Sequence, residues 1–166
     1  ELFEILDRIK DVLETNNYDF INLSLGPRLP IDDGEVHAWT AVLDDYLSKR
    51  PTLATIAVGN DGESDPHIKA NRVQVPADCV NALAIGACDV PDDNWQRAPY
   101  SSVGPGRSPG ITKPDLVEFG GSIQRPFLTL DYLDGTQIIP TGGTSFSAPA
   151  TLRLGSGVKA HFGSSL

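Results

Sequence analysis

Methionine is missing from the 166 residues altogether, and cysteine occurs only twice. Without a methionine, Glu1 is not expected to be a translation start, and the sequence reads as a piece of a longer polypeptide. No basic-then-apolar leader opens it. Long hydrophobic runs are equally scarce. Leu53–Gly59 and Ala82–Cys88 fall far short of the roughly 18 apolar residues that cross a bilayer, so no membrane span is expected. Positive charge is the remaining shortage: 13 Lys and Arg stand against 22 Asp and Glu, a formal net charge of −9. Nucleic-acid surfaces need clustered Lys and Arg, so no nucleic-acid partner is expected.

Cys79 and Cys88 flank Asn81–Ala87, which reads as an extended segment. A strand rising about 3.3 Å per residue holds its ends well beyond the ~7 Å limit for bridged Cα atoms. Both are therefore expected as free thiols, a state that leans weakly toward a reducing, intracellular compartment. Neither has a second Cys or His at the spacing of a zinc site. The acidic loop Asp61–Asp65 lacks the ligand spacing of a calcium loop. No metal and no cofactor are assigned.

What is present alternates. Leu2, Ile5, Leu6, Ile9, Val12 and Leu13 share one face of a helix over Leu2–Asn16. Asp19–Leu25 follows as a strand, and a loop with Pro27, Pro30 and Gly34 interrupts regular structure. Val36, Trp39, Leu43, Tyr46 and Leu47 mark a second amphipathic helix, and Leu53–Val58 is apolar enough to be a strand buried on both faces. Asn81–Ala87 is another buried strand. Gly59–Arg72 reads as a polar loop and Pro91–Thr112, rich in Pro, Gly and Ser, as a surface wrap. Asp134-Gly135 within Phe127–Ile139 is a hairpin signal. Ser145–His161 reads as a final helix with Pro149 in its first turn. Helix–strand alternation with apolar strands predicts one α/β domain, a parallel sheet covered by helices.

The segment that carries chemistry is Gly142–Pro149 (GGTSFSAP). Two glycines allow a tight turn, and Ser145 then stands where a helix begins. The first turn of a helix has unpaired N–H groups and a partial positive potential. A hydroxyl there can attack while its own N–H steadies the oxyanion that forms. By itself the same pattern also describes a capping residue or an anion cradle, although the Lys of a phosphate loop is absent. Ala57–Gly62 (AVGNDG) leaves a buried strand and presents Asn60, either as a filler of a left-handed turn or as an amide donor to an oxyanion. Asn22–Gly26 (NLSLG) leaves another strand and can offer its edge to an extended peptide.

Taken in order, INLSLG at Ile21–Gly26, AVGNDG at Ala57–Gly62, VPADCVNALAIGA at Val75–Ala87, YSSVGPG at Tyr100–Gly106 and GTSFSAP at Gly143–Pro149 resemble the subtilisin-like serine proteases, or subtilases. The resemblance runs from about Leu2 to Leu166. It implies a three-layer α/β sandwich with a mostly parallel sheet, incomplete at the N-terminal side. Ser145 matches the family's nucleophile, and Asn60 the oxyanion-hole asparagine. Ser24, Leu25 and Gly26 match the strand that pairs with substrate backbone. Ala57, Val58 and Gly59 match a wall of the pocket for the side chain before the scissile bond, and Pro76 falls at a bend near it. Small and aliphatic Ala57 and Val58 predict a pocket tolerant of apolar side chains.

The departure lies in what precedes Ser24. The family's Asp and His come before that strand. Here one helix stands there, and neither an Asp-Ser/Thr-Gly nor a His-Gly-Thr motif occurs. His37, His67 and His161 match no family motif. These residues are thus expected to be the C-terminal portion of a catalytic domain, inactive alone, that acts on a peptide or protein substrate together with the missing N-terminal part of the same chain. A catalytically inactive peptide-binding or scaffold relative is the alternative. Glu118, where many relatives carry Ala, and Arg153 and Gly155 in the last helix point to a divergent branch with looser packing there.

Overall fold

Strands that are apolar on both faces need cover on both faces, and the helices of this chain supply it. The computed structural model describes residues 1–163. Helix α1 (Leu2–Thr15) precedes strand β1 (Phe20–Leu23), and α2 (Ala38–Ser48) precedes β2 (Leu53–Ala57). Strands β3 (Leu83–Cys88) and β4 (Leu116–Phe119) follow, then β5 (Phe127–Leu130), β6 (Ile138–Thr141) and the long α3 (Thr144–Phe162). The first four strands form one parallel sheet in the order β1-β2-β3-β4. Strands β5 and β6 form a separate antiparallel hairpin, with Phe127 opposite Thr141 and Leu130 opposite Ile138. The predicted α/β class, the parallel sheet and the hairpin are all present. Among the described residues no helix is long and apolar enough to cross a membrane.

The period-two alternation of strands divides the core. Ala54, Ile56 and Val58 join Leu23, Trp39, Leu43, Leu47, Leu6 and Leu13 in one buried cluster on the α1–α2 side. Leu53, Thr55 and Ala57 point the other way, toward α3, which packs across all four parallel strands. The bare backbone of Gly155 in α3 admits Leu53: a Cβ there would sit 2.5 Å from Leu53 Cδ2. Gly155 thus marks a close helix–sheet contact, opposite to the looser packing expected of it.

Several boundaries differ from expectation, each for a local reason. The first strand stops at Leu23 rather than Leu25. Its pairing with β2 ends at Leu23 opposite Ile56, so among the described residues Ser24–Gly26 pairs with no strand. Strand β2 itself gives way to a turn at Gly59, whose φ of 98° lies in the left-handed region where a side chain is strained. Of the predicted apolar face of α1, Leu6 and Leu13 are buried, whereas Leu2, Ile5 and Val12 stay exposed. Pro149 is the sixth residue of α3, not part of its first turn, because the helix already starts at Thr144. Strand β4 carried no signal in the sequence, being four residues with one exposed end. The Pro91–Thr112 segment wraps the surface only in part: Ala98, Ser101 and Ser102 are all buried. Both cysteines are free and buried.

Ile85 lies at the centre of β3 with no exposed surface. Replacing it by Ala leaves a void between packed layers, and such a truncation destabilises by about 2–5 kcal/mol. The expected result for Ile85→Ala is a lower midpoint of urea unfolding with the slope unchanged. A midpoint equal to the parent's would contradict a close-packed core at β3.

Candidate active site

Parallel strands place all their carboxyl ends on one edge of a sheet, and crevices form where the following loops diverge. Here β1 exits into Ser24–Gly26 and β2 into Val58–Asn60, side by side. The N-terminus of α3 arrives between them. A cavity of about 280 Å³ results, lined by Ser24, Leu25, Gly26, Ala57, Gly59, Asn60, Thr144 and Ser145, with Arg28, Asp61, Gln74 and Val75 among the rest. Of the residues expected at the site, Ser24, Leu25, Gly26, Ala57, Gly59, Asn60 and Ser145 line this cavity and Val58 does not; Pro76, expected at a bend near it, is fully buried and outside the lining. Val58, the residue after β2, continues the strand's alternation and is fully buried in the α1–α2 cluster, away from the wall that Ala57 and Gly59 help to form.

Asn60 joins the two loops. Its Oδ1 accepts from the Thr144 N–H at 2.9 Å and from Thr144 Oγ1 at 3.1 Å. Helix α3 has glycine at its N-cap and no cap from that residue's side chain. Asn60, 84 positions away in sequence, does the capping instead. An amide whose oxygen is committed in this way must present its NH2 on the opposite side. That NH2 finds no acceptor among the described residues, nor does the Ser145 N–H in the first turn of α3. Two donors and one hydroxyl therefore open onto a single cavity, an arrangement able to hold an anionic oxygen beside a nucleophile.

Ser145 sits at the second position of α3, so it is not the helix cap that its sequence context also allowed. Pro149 has no N–H to give to the Ser145 carbonyl four residues earlier. Ser24 Oγ donates to that carbonyl at 3.2 Å, and Ser145 Oγ reaches back to the Ser24 carbonyl at 3.5 Å. The proline thereby leaves an acceptor that ties the Ser24 segment to the helix start. Among the described residues the N–H groups of Leu25 and Gly26 are unpaired, a free edge on the cavity rim.

Sequence reasoning missed what holds Asn60 in place. The Asn60 loop is fastened from below by Tyr100–Ser102: Ser102 N–H donates to the Gly59 carbonyl at 3.1 Å, Gly62 N–H to the Tyr100 carbonyl at 2.7 Å. Ser102 Oγ accepts from Asp61 N–H at 3.2 Å, and Ser101 Oγ accepts from Ala87 N–H at 3.0 Å in β3. The two adjacent buried serines thus bind the loop and the sheet at once. Gly62 is required by this contact, since a Cβ there would lie 2.2 Å from the Ser101 carbonyl oxygen. Two buried serines in a Pro- and Gly-rich stretch were the available signal.

The cavity wall also carries charged and polar groups that Ala57 and Val58 do not announce. Arg28 Nε lies 3.1 Å from both Asp61 carboxylate oxygens, and its Nη2 also donates to Oδ1. Gln74 Nε2 donates to Asp61 Oδ2. The hydrogen bond from Arg28 is the main influence that holds the Asp61 carboxyl below its ordinary range, partial burial working against it and the Arg28 charge and Gln74 adding to it. His37, His67 and His161 do not line this cavity: His37 caps α2 through Nδ1, His67 lies on an exposed loop and His161 packs edge-on against Phe162. Glu118 also lies away from it, its Oε1 accepting from the Phe119 N–H.

Comparison with known proteins gives a consistent result. A family model described as the subtilase family matches residues 2–155. The uncharacterized protein y4bN of Sinorhizobium fredii (strain NBRC 101917 / NGR234) is 30% identical over 175 residues, spanning 76% of this chain and 40% of that protein. Among solved structures, the fold is similar to the prenylagaramide maturation protease PagA, with a TM-score of 0.68 at 21% identity over 98% of this chain and 52% of that one. It is also similar to the epidermin leader peptide processing serine protease EpiP from Staphylococcus aureus, with a TM-score of 0.66 at 20% identity over 98% of this chain and 45% of that one. Sphericase matches with a TM-score of 0.64 at 21% identity, over 97% of this chain and 49% of that one. This chain therefore spans about half the length, or less, of the proteins it matches.

The Asp61 geometry makes a pH-dependent prediction. A carboxyl whose folded pKa lies below its unfolded value near 3.9 stabilises the fold above that value, and the contribution is lost as pH falls through the folded pKa. The Asp61 carboxyl carbon, followed by NMR, should titrate below an ordinary aspartate, and its midpoint should rise in Arg28→Ala. A midpoint that stays put in the variant would show that Arg28 is not the cause.

Proposed function

This chain belongs to the subtilase family, and on that footing we propose that residues 1–166 are the C-terminal portion of a serine endopeptidase catalytic domain. Ser145 is the nucleophile. Its Oγ attacks the carbonyl carbon of the scissile peptide bond, and the oxyanion that forms is received by the Asn60 NH2 and the Ser145 N–H. The C–N bond then breaks, leaving an acyl group on Ser145 that water removes. Ser24, Leu25 and Gly26 pair with the substrate backbone, while Ala57 and Gly59 wall the pocket for the side chain before the scissile bond. The supporting observation is that Asn60, Ser145 and the Ser24–Gly26 edge share one cavity, with the Asn60 amide turned by Thr144 so that its NH2 is free.

A serine hydroxyl is a weak nucleophile without a general base. No histidine lines the cavity among the described residues, so the base and the carboxylate that orients it come from the N-terminal part of the same polypeptide. There a histidine takes the Ser145 proton and returns it to the leaving amine. These 166 residues alone accordingly do not hydrolyse peptides at an appreciable rate. The second reading, an inactive peptide-binding relative, has one observation in its favour. Ser145 Oγ here points to a backbone carbonyl, that of Ser24, rather than to a base.

The test compares the whole polypeptide with the isolated chain, using a fluorophosphonate label and a peptide substrate. The whole protein should be labelled at Ser145 and turn over substrate, Ser145→Ala should do neither, and the isolated chain should be silent. Asn60→Ala should lower turnover by about 10²–10³, a figure taken from the same donor in subtilisin itself. An unlabelled whole protein would favour the inactive relative, and a fully active isolated chain would refute the division of the site.

A further inference from the structure

The cavity beside Ser145 already contains a cation. Arg28, in the loop that follows the Ser24–Gly26 edge, reaches Asp61, the residue next to Asn60, and closes an ion pair across the cavity rim. The two partners are not held alike. The Asp61 side chain is only 11% exposed, its second oxygen is fixed by Gln74 and its N–H by Ser102 Oγ. The Arg28 side chain is 83% exposed, and among the described residues Asp61 accepts all its side-chain hydrogen bonds. The carboxylate is part of the wall, whereas the guanidinium can leave for water.

Three kinds of incoming side chain fare differently. A carboxylate must approach the embedded Asp61 charge, and like charges in a partly dry site repel. An apolar side chain either leaves the ion pair in its way or breaks it without replacing it, stranding Asp61 with a lost partner. An ammonium or guanidinium can take the place of Arg28 on Asp61. The exchange keeps the largely covered carboxylate paired and releases Arg28, whose exposed guanidinium loses little on return to water. The formal charge of −9 further draws cationic peptides in at low ionic strength.

We propose that this cavity selects a basic side chain, Lys or Arg, on the peptide, with Asp61 as its anchor and Arg28 as the cavity's own competing occupant. The proposal rests on the reading of the cavity as the peptide site. Asp61 and Arg28 are specificity residues here and take no part in bond breaking.

The test separates the two readings by measuring binding apart from turnover. Fluorescent peptides that differ only in a C-terminal Lys, Leu or Glu are titrated onto the whole polypeptide carrying Ser145→Ala. The Lys peptide should bind about 10-fold tighter than the Leu peptide, as a charge-assisted hydrogen bond warrants, and the Glu peptide weakest. Asp61→Asn should abolish the preference, bringing Lys down to the level of Leu. Arg28→Ala should tighten Lys severalfold and widen its lead over Leu. Equal affinity for Lys and Leu, or tightest binding of Glu, would overturn the proposal. So would Asp61→Asn weakening all three alike, which would make Asp61 a prop for the Asn60 loop, or Arg28→Ala weakening Lys. Fluorophosphonate labelling of the parent with Ser145 intact reports separately on hydrolysis. Lys-selective binding without labelling sinks the protease reading and keeps the pocket, and labelling without Lys preference does the reverse.

Discussion

A single hydrogen bond, from the Thr144 N–H to Asn60 Oδ1 at 2.9 Å, sets the relation between the two halves of the cavity. It joins the exit of β2 to the entry of α3 and caps a helix whose own cap position is glycine. Helix N-termini leave four N–H groups without partners, and a distant amide that satisfies one of them fixes its own orientation in the act. The oxygen is spent on the helix, so the NH2 has one direction left. The Ser145 N–H, next along the same turn, is left over because the first turn of a helix has no preceding carbonyl for it. The bond from Thr144 brings these two unpaired donors to one place.

That bond can form only because the sheet is parallel. Parallel order puts the ends of β1 and β2 on one edge, and α3, lying across all four strands, delivers its positive end to the same place. Beneath, Ser101 and Ser102 turn a Pro- and Gly-rich excursion into a brace, one hydroxyl on β3 and the other on the Asn60 loop. Above, Pro149 withholds an N–H from the Ser145 carbonyl, and Ser24 uses the vacancy. Each tie comes from a different part of the chain, and each limits the movement of Asn60, Ser145 or the Ser24 edge.

The elements that the sequence revealed are those with strong periodicity or a short, specific motif. Helices α1 and α2 and strands β1 to β3 follow from apolar spacing, the β5–β6 hairpin from an Asp-Gly signal, α3 from the glycines before it, and the family from GTSFSAP and its companions. Strand β4 was illegible because Leu116–Phe119 is short, half-exposed and follows a proline. Val58 shares the AVGNDG motif but not the cavity lining, because a motif names neighbours in sequence, whereas a strand sends them to opposite faces. The charged lining escaped notice for a related reason. Arg28, Asp61 and Gln74 lie on three separate loops, and no local pattern announces that they meet.

On the proposed reading the cavity has two tasks, oxyanion stabilisation and side-chain selection, and its charges bear on how they are kept apart. Oxyanion donors act best when fixed in advance, because a donor that must reorient at the moment of reaction gives back part of what it gains. A specificity pocket has the opposite need, since its occupant must enter and leave. Here the fixed groups, Asn60 and the first turn of α3, are tied through the backbone and through buried serines, while the exchangeable group, Arg28, hangs on an exposed side chain. Asp61 lies on the boundary. Its main chain belongs to the braced loop through Ser102 and its side chain to the exchange with Arg28. A charge swap at its carboxylate therefore need not disturb the neighbouring Asn60, because the loop is held from below rather than by the ion pair.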